Sequence, residues 1–164
     1  MAEMDLIGVR VELPSNTPIA LLRECTGARR LLPIFIGAAE ATAITFALQE
    51  VETPRPLTHD LMIDLLEALG AELLSVTVTE PREGAFFAEL ELRTADATLR
   101  LSSRPSDAFA LALRAGAPIH AAEEVLEEAG HLPDPEFGAE EGTEEVVEQF
   151  KDFIEHVNPD DFAS

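Results

Sequence analysis

The sequence has neither tryptophan nor tyrosine, and only one cysteine in 164 residues. Without Trp or Tyr it has no indole or phenol ring to serve as a stacking platform for nucleic-acid bases. A lone cysteine, Cys25, excludes an internal disulfide framework and leaves no local partner for a redox or zinc motif. It reads as a small residue at a strand end in a reducing cytoplasm. Positive charge is scarce as well: 11 Lys and Arg stand against 32 Asp and Glu, a net charge of −21. There is no Lys/Arg-rich stretch, so general electrostatic binding to nucleic-acid phosphates is disfavoured. Action on such a polymer would need local arginines, a metal ion or a groove between subunits. No apolar run approaches the ~18 residues that span a bilayer. The start "MAEMDLIGVR" lacks a basic-then-apolar export signal. The expectation is a cytoplasmic protein with no membrane association.

What is present describes a folding chain. Apolar residues make up 46% of the sequence, and this length suits one domain that buries roughly 70% of its unfolded-state surface. The charge is uneven. Residues 1–115 hold 17 acids and 10 bases, whereas residues 116–164 hold 15 acids and the single base Lys151. "HLPDPEFGAEEG" (131–142) is Pro/Gly-rich and acidic, a linker by composition. "TEEVVEQFKDFIEHV" (143–157) returns to helical spacing, with Val146, Val147, Phe150, Phe153, Ile154 and Val157 on one face. The predicted organisation is therefore a domain at 1–130, a linker at 131–142, and an amphipathic helix and tail at 143–164.

Within 1–130 the periodicity repeats. "DLIGVRVEL" (5–13) alternates as a half-buried strand with Ile7, Val9, Val11 and Leu13 on one face. "IALLREC" (19–25) returns as a second strand, and "LLPIFI" (31–36) reads as a strand covered on both faces. Gly37 opens the helix "AAEATAITFALQE" (38–50). A helix at 59–69 sets Leu61, Met62, Leu65, Leu66 and Leu69 on one stripe, and Gly70 ends it. Then "AELLSVTVTE", "AFFAELEL" and "TLRLSS" form three more strands before the apolar helix that follows "SSRPSD". Both halves read strand–turn–strand–turn–strand–helix. Laying "IGAAEATAITF" (36–46) over "SRPSDAFALAL" (103–113) sets Glu40 on Asp107. "APIHAAEEVLEEAG" (117–130) adds a short strand and a helix. The predicted fold is α+β: duplicated β-β-β-α units forming an antiparallel or mixed sheet with packed helices, plus the C-terminal helix.

With Gly37 and Arg104 as N-caps, Glu40 and Asp107 both fall at the third helical position. There a carboxylate accepts backbone N–H bonds and meets the positive end of the helix dipole. Capping alone accounts for each acid. Their equivalence adds a second reading: two carboxylates converging from duplicated units could hold a divalent metal, Mg or Mn, through oxygen ligands. "RPLTHDL" (55–61) offers the same choice. Thr58 can cap, while His59 and Asp60 in the first turn can serve as acid/base or ligand near neutral pH. Arg55 and Arg104 each precede a proline beside a helix start, where a planar guanidinium can grip a phosphate. Ser102, Ser103 and Ser106 lack a "GxSxG" elbow, and His120 sits in an apolar strand.

In this order and spacing, "LPIFIGAAEATAI", "RPLTHDL" and "RPSDAFALALRAGAPI" resemble the bacterial bifunctional nuclease (DNase/RNase) domain family, from about residue 4 to about 130. The resemblance implies an α+β fold with a duplicated β-rich unit, a homo-oligomer, and nuclease activity toward DNA and RNA. It carries the family's recurrent polar positions onto Glu40, Arg55, Thr58, His59, Asp60, Arg104, Ser106 and Asp107. Ser102 departs from the pattern, which often has Asp there, and His120 departs from a common Tyr. The leading expectation is a phosphodiesterase acting on nucleic acid with a divalent metal. In it Glu40 and Asp107 are metal ligands, His59 and Asp60 are acid/base or ligand, and Arg55 and Arg104 bind phosphate, with Thr58 and Ser106 beside them. The alternative is a non-catalytic regulatory module whose cleft binds a small anion or a protein partner.

Overall fold

The computed structural model describes residues 1–133 other than residue 83. The order is β1 (Ala2–Glu12), β2 (Thr17–Glu24), β3 (Leu31–Phe35), α1 (Ala38–Leu48), α2 (Thr58–Ala68), β4 (Glu72–Arg82), β5 (Ala85–Arg93), β6 (Thr98–Ser103), α3 (Pro105–Ala115), β7 (Ile119–Ala121) and α4 (Glu123–Ala129). The expected helix at 143–164 and the linker from residue 134 onward lie outside the described residues. None of the described helices is long and apolar enough to cross a membrane.

The strands form one sheet in the order β3-β2-β1-β7-β4-β5-β6. Pairing is antiparallel within each half, and β7 joins the halves, antiparallel to β1 and parallel to β4. That order is symmetrical about β7. Helix α1 packs on β1 and β2 as α3 packs on β4 and β5. The duplicated β-β-β-α expectation is thus met, in a mixed α+β fold.

Alternation explains the layers, because successive strand residues point to opposite faces. Val76 and Val78 are fully buried against the helices, and Ala88, Leu90 and Leu92 join them from β5. On α1, small residues (Ala41, Ala43) alternate with Ile44 and Phe46 in the core. On α3, Ala108 through Ala112 are all buried, with Phe109 fully enclosed. Such an all-round apolar helix must sit between other layers. Gly116 ends it with φ +65°, a left-handed cap that costs little without a Cβ.

Three expectations are corrected. In β1, a register shift between Leu6 and Gly8 leaves Ile7 unpaired and turned outward, 40% exposed. Strict alternation had set Ile7 and Leu13 inside. The bulge instead resets the pattern so that Met4 and Val9 point inward, and Leu13 lies beyond the strand in solvent. β3 is not covered on both faces. It is an edge strand that buries Leu32 and Ile34 while leaving Phe35 exposed, which is where a strand tolerates Pro33. On α2 the expected stripe splits: Leu61, Met62, Leu65 and Leu69 are exposed, and only Leu66 of the stripe packs on the core, together with Ile63.

Helix α4 buries Val125 and Leu126 and touches both β3 and β4. It is locked at one end by Arg30, whose guanidinium bonds buried Glu24 through Nε (3.0 Å) and Nη2 (2.8 Å) and also pairs with Glu123. Beyond it, His131 bridges Leu31 of β3. A forked guanidinium holding a carboxylate through two parallel bonds is among the stronger side-chain links.

Candidate active site

The two repeated helices begin alike. Gly37 and Arg104 are the N-caps of α1 and α3, both in extended backbone, and neither contributes a side-chain cap bond. Pro105 fits the first turn of α3, where its missing N–H would be unpaired in any case. Glu40 and Asp107 therefore occupy the third position of their helices, as their spacing predicts. Their carboxylates do not cap these helices. They are joined by one guanidinium, that of Arg104.

Arg104 Nε donates to Asp107 Oδ2 at 2.7 Å, and its Nη2 donates to Glu40 Oε1 at 2.7 Å. His59 of α2 brings Nε2 to 2.9 Å from the other oxygen, Asp107 Oδ1. Asp107 is ionised and acceptor-only, so the hydrogen lies on Nε2, and in the neutral ring the lone pair is on Nδ1. Burial pushes the Asp107 carboxyl up, but the bonds from Arg104 and His59 outweigh it and hold the group below its ordinary value. The same carboxylates, Asp107 first and then Glu40, raise the Arg104 pKa. Exposure grades across the cluster: the His59 and Glu40 side chains are mostly buried, Asp107 is partly open, and Arg104 is 65% exposed. A Cβ at Gly37 would run into the Glu40 carboxylate. Glycine there permits Glu40 to fold back toward its own N-cap.

The other expected site residues separate from this cluster. Asp60 turns away: its Oδ2 accepts the Leu57 N–H (2.8 Å) at the start of α2, and its Oδ1 accepts from Arg114 Nε. Arg114 also donates to the carbonyls of Ala110 and Ala43 (2.9 and 3.1 Å), tying α3 to α1 and α2. Asp60 is thus a joint between helices. Thr58 is the first helical residue of α2 and not its cap, which is Leu57. Arg55 is exposed in the preceding loop, where its carbonyl accepts from the Thr53 hydroxyl. Ser106 is buried in the first turn of α3. Cys25 is partly buried beside Asp5, and desolvation followed by that acid raises its pKa, so the thiol is held protonated. Arg114 is the residue that sequence reasoning missed. Its signal was a solitary base in the last turn of an apolar helix.

A model of the bifunctional nuclease domain matches residues 20–134, which contain the whole cluster. The chain belongs to the bifunctional nuclease domain family. Over its full length it is 48% identical to an uncharacterized protein of Mycobacterium tuberculosis, spanning 99% of that relative. It is 31% identical over 112 residues to Bifunctional nuclease 2 of Arabidopsis thaliana, covering 65% of this chain and 34% of the plant protein. Bifunctional nuclease 1 of Oryza sativa subsp. japonica is 29% identical over 96 residues, 29% of its own length. The aligned stretches cover about a third of these plant nucleases.

As a metal centre the arrangement does not fit as it stands. Oxygen donors from two carboxylates suit Mg or Mn, but the Arg104 guanidinium bridges them. Among the described residues no three His, Cys, Asp or Glu side chains are grouped to hold an ion.

Proposed function

We propose that this member of the family is a nuclease, hydrolysing phosphodiesters of DNA or RNA at the Glu40–His59–Arg104–Asp107 cluster. The observation that carries the reading is the His59–Asp107 bond beside an exposed, forked arginine. Asp107 orients the imidazole by accepting its Nε2–H, which leaves Nδ1 of the neutral ring as the base that takes a proton from water. Arg104, at the helix mouth of α3, supplies an electrophilic grip for the phosphate oxygens, assisted by the helix N-terminus. Glu40 holds Arg104 from the other side and fixes its plane. Asp60, turned to Arg114, is a positioning residue for α2 and hence for His59. Arg55 and Thr58, both exposed, are candidate substrate contacts at the rim, and buried Ser106 can serve only from beneath, in the first turn of α3.

A divalent metal on Glu40 and Asp107 is a separate part of this proposal, and it requires Arg104 to release both carboxylates. A second reading is favoured by that same bridge and by the net charge of −21. With its arginine neutralised by two acids, the cleft would serve a non-catalytic regulatory module that binds a small anion or a protein partner.

One experiment separates them. Highly purified wild type, Asp107→Asn and Arg104→Ala are incubated with labelled single- and double-stranded DNA and RNA, with Mg²⁺, with Mn²⁺ and with EDTA. The nuclease reading expects cleavage that falls at least ~100-fold in Asp107→Asn, the usual size of a lost acid–base contribution, with folding retained. Arg104→Ala should raise KM. Cleavage abolished by EDTA supports the metal, and cleavage that survives EDTA sinks it. No turnover under any condition favours the regulatory module, and undiminished cleavage by Asp107→Asn removes this site from the reaction.

A further inference from the structure

The guanidinium of Arg104 carries five N–H donors. One, on Nε, goes to Asp107, and one, on Nη2, goes to Glu40. Among the described residues nothing takes the other three, both on Nη1 and one on Nη2. The side chain is 65% exposed, so these donors are open to a ligand. A planar fork of N–H groups suits the oxygens of a phosphate.

Charge then decides which phosphate fits. One guanidinium faces two carboxylates, a balance of −1 with the imidazole neutral. The N-termini of α1 and α3 each supply about half a positive charge, which brings the cluster near neutrality. A phosphodiester brings one negative charge. A phosphomonoester, whose second pKa is about 6, brings two at pH 8. The free fork meets the first charge, and no cation of the cluster is left for the second. Arg55 is exposed and screened by salt. The side chains of Glu40 and Asp107 are only 16% and 26% exposed, so their charges are screened less.

The two carboxylates differ in duty. Asp107 is tied to His59 as well as to Arg104. Glu40 makes its one side-chain bond among the described residues to Arg104. A glutamine carbonyl would accept that same N–H, so holding the guanidinium does not require a charge at position 40. We propose that Glu40 is a specificity residue, whose negative charge sets the cluster to accept a singly charged phosphodiester and reject a doubly charged terminal phosphate. This rests on the reading of Arg104 as the phosphate grip, and adds the kind of phosphate it holds. Two oxygens hydrogen-bonded to opposite sides of one guanidinium lie about 6 Å apart. With screening between that of a protein surface and bulk water, one further unit charge at that separation changes affinity about tenfold. The consequence is cleavage of linkages between nucleotides, with end phosphates left in place.

The test compares two ligands that differ by one charge, thymidine 5′-monophosphate and its methyl ester. Both are titrated at pH 8 in EDTA, so that no metal ion adds its charge, and binding is followed by NMR shifts. Wild type should bind the methyl ester more tightly. Glu40→Gln should move the ratio of the two affinities about tenfold toward the monophosphate. Arg55 and the helix ends cancel in that comparison of ratios, which isolates the charge of Glu40. A wild type without preference for the ester, or a ratio unchanged in Glu40→Gln, overturns the proposal and leaves the phosphate grip standing. Binding of neither ligand, or binding undiminished in Arg104→Ala, removes the grip itself and this inference with it. A second measurement needs no variant. An oligonucleotide with a 5′-terminal phosphate should be cut by wild type without release of inorganic phosphate. Release of inorganic phosphate overturns the proposal. Absence of any cleavage counts against the nuclease reading alone, and the affinity ratio still decides the role of Glu40.

Discussion

Two carboxylates carry much of the pH dependence expected of this fold. Glu24 is held below its ordinary value of 4.5 chiefly by the Arg30 side-chain bond, which outweighs its burial. Asp107 is held below 3.8 because Arg104 and His59 outweigh desolvation. For both, the folded pKa is depressed relative to the unfolded chain. Their stabilisation is therefore complete above the ordinary values and is lost as pH falls through the lowered folded ones. Urea unfolding followed between pH 7 and pH 3 should show stability dropping below about pH 4.5. Glu24→Gln should lower stability at pH 7 by about 2 kcal/mol, the size of a hydrogen bond to a charged partner, and flatten the acid limb. The cost is limited because Arg30 keeps Glu123. An acid limb as steep in Glu24→Gln as in wild type would show that other groups govern acid unfolding. Gly37 belongs with these residues, since its missing side chain leaves room for the Glu40 carboxylate.

The helices differ sharply in how they are held. α3 is enclosed by α1, by β4 and β5, and on a further side by α2, and Phe109 at its centre is fully buried. Phe109→Ala should cost about 3–5 kcal/mol, the range for an aromatic removed from a closed core. α2 is held by two partly buried residues, Ile63 and Leu66, and by the polar joints of His59 and Asp60. Leu65→Gln on its outer face should change unfolding free energy by no more than about 0.5 kcal/mol. Equal losses in the two variants, measured by chemical denaturation, would mean that the outer stripe of α2 is packed in solution. The helix that carries the imidazole is thus the loosely seated one, and its Asp60–Arg114 joint sets how firmly His59 meets Asp107.

A chain of net charge −21 can hold a nucleic acid only through a local patch. Counterion release makes the slope of log affinity against log salt about −0.9 per phosphate neutralised on a duplex. With Arg104 and Arg55 as the candidate contacts, the slope should be no steeper than about −2. Fluorescence anisotropy with a labelled duplex at several salt concentrations measures it. A slope of −5 or steeper would require a basic surface made elsewhere, and the cluster would lose its place as the binding site.

The sequence by itself determined the repeating strand–strand–strand–helix order, the N-caps at Gly37 and Arg104, and the matched third positions of Glu40 and Asp107. Each follows from local rules: period-two alternation, helix-start chemistry and an internal echo. Ile7, Pro33 and the α2 stripe were misread because a bulge, an edge position and an unfilled face depend on which strand or helix lies alongside, and periodicity carries no such information. Only the tertiary structure decided that Asp107 faces His59 while Asp60 faces Arg114. Adjacent residues on a helix point about 100° apart, so packing against α3 selects which of them reaches the site.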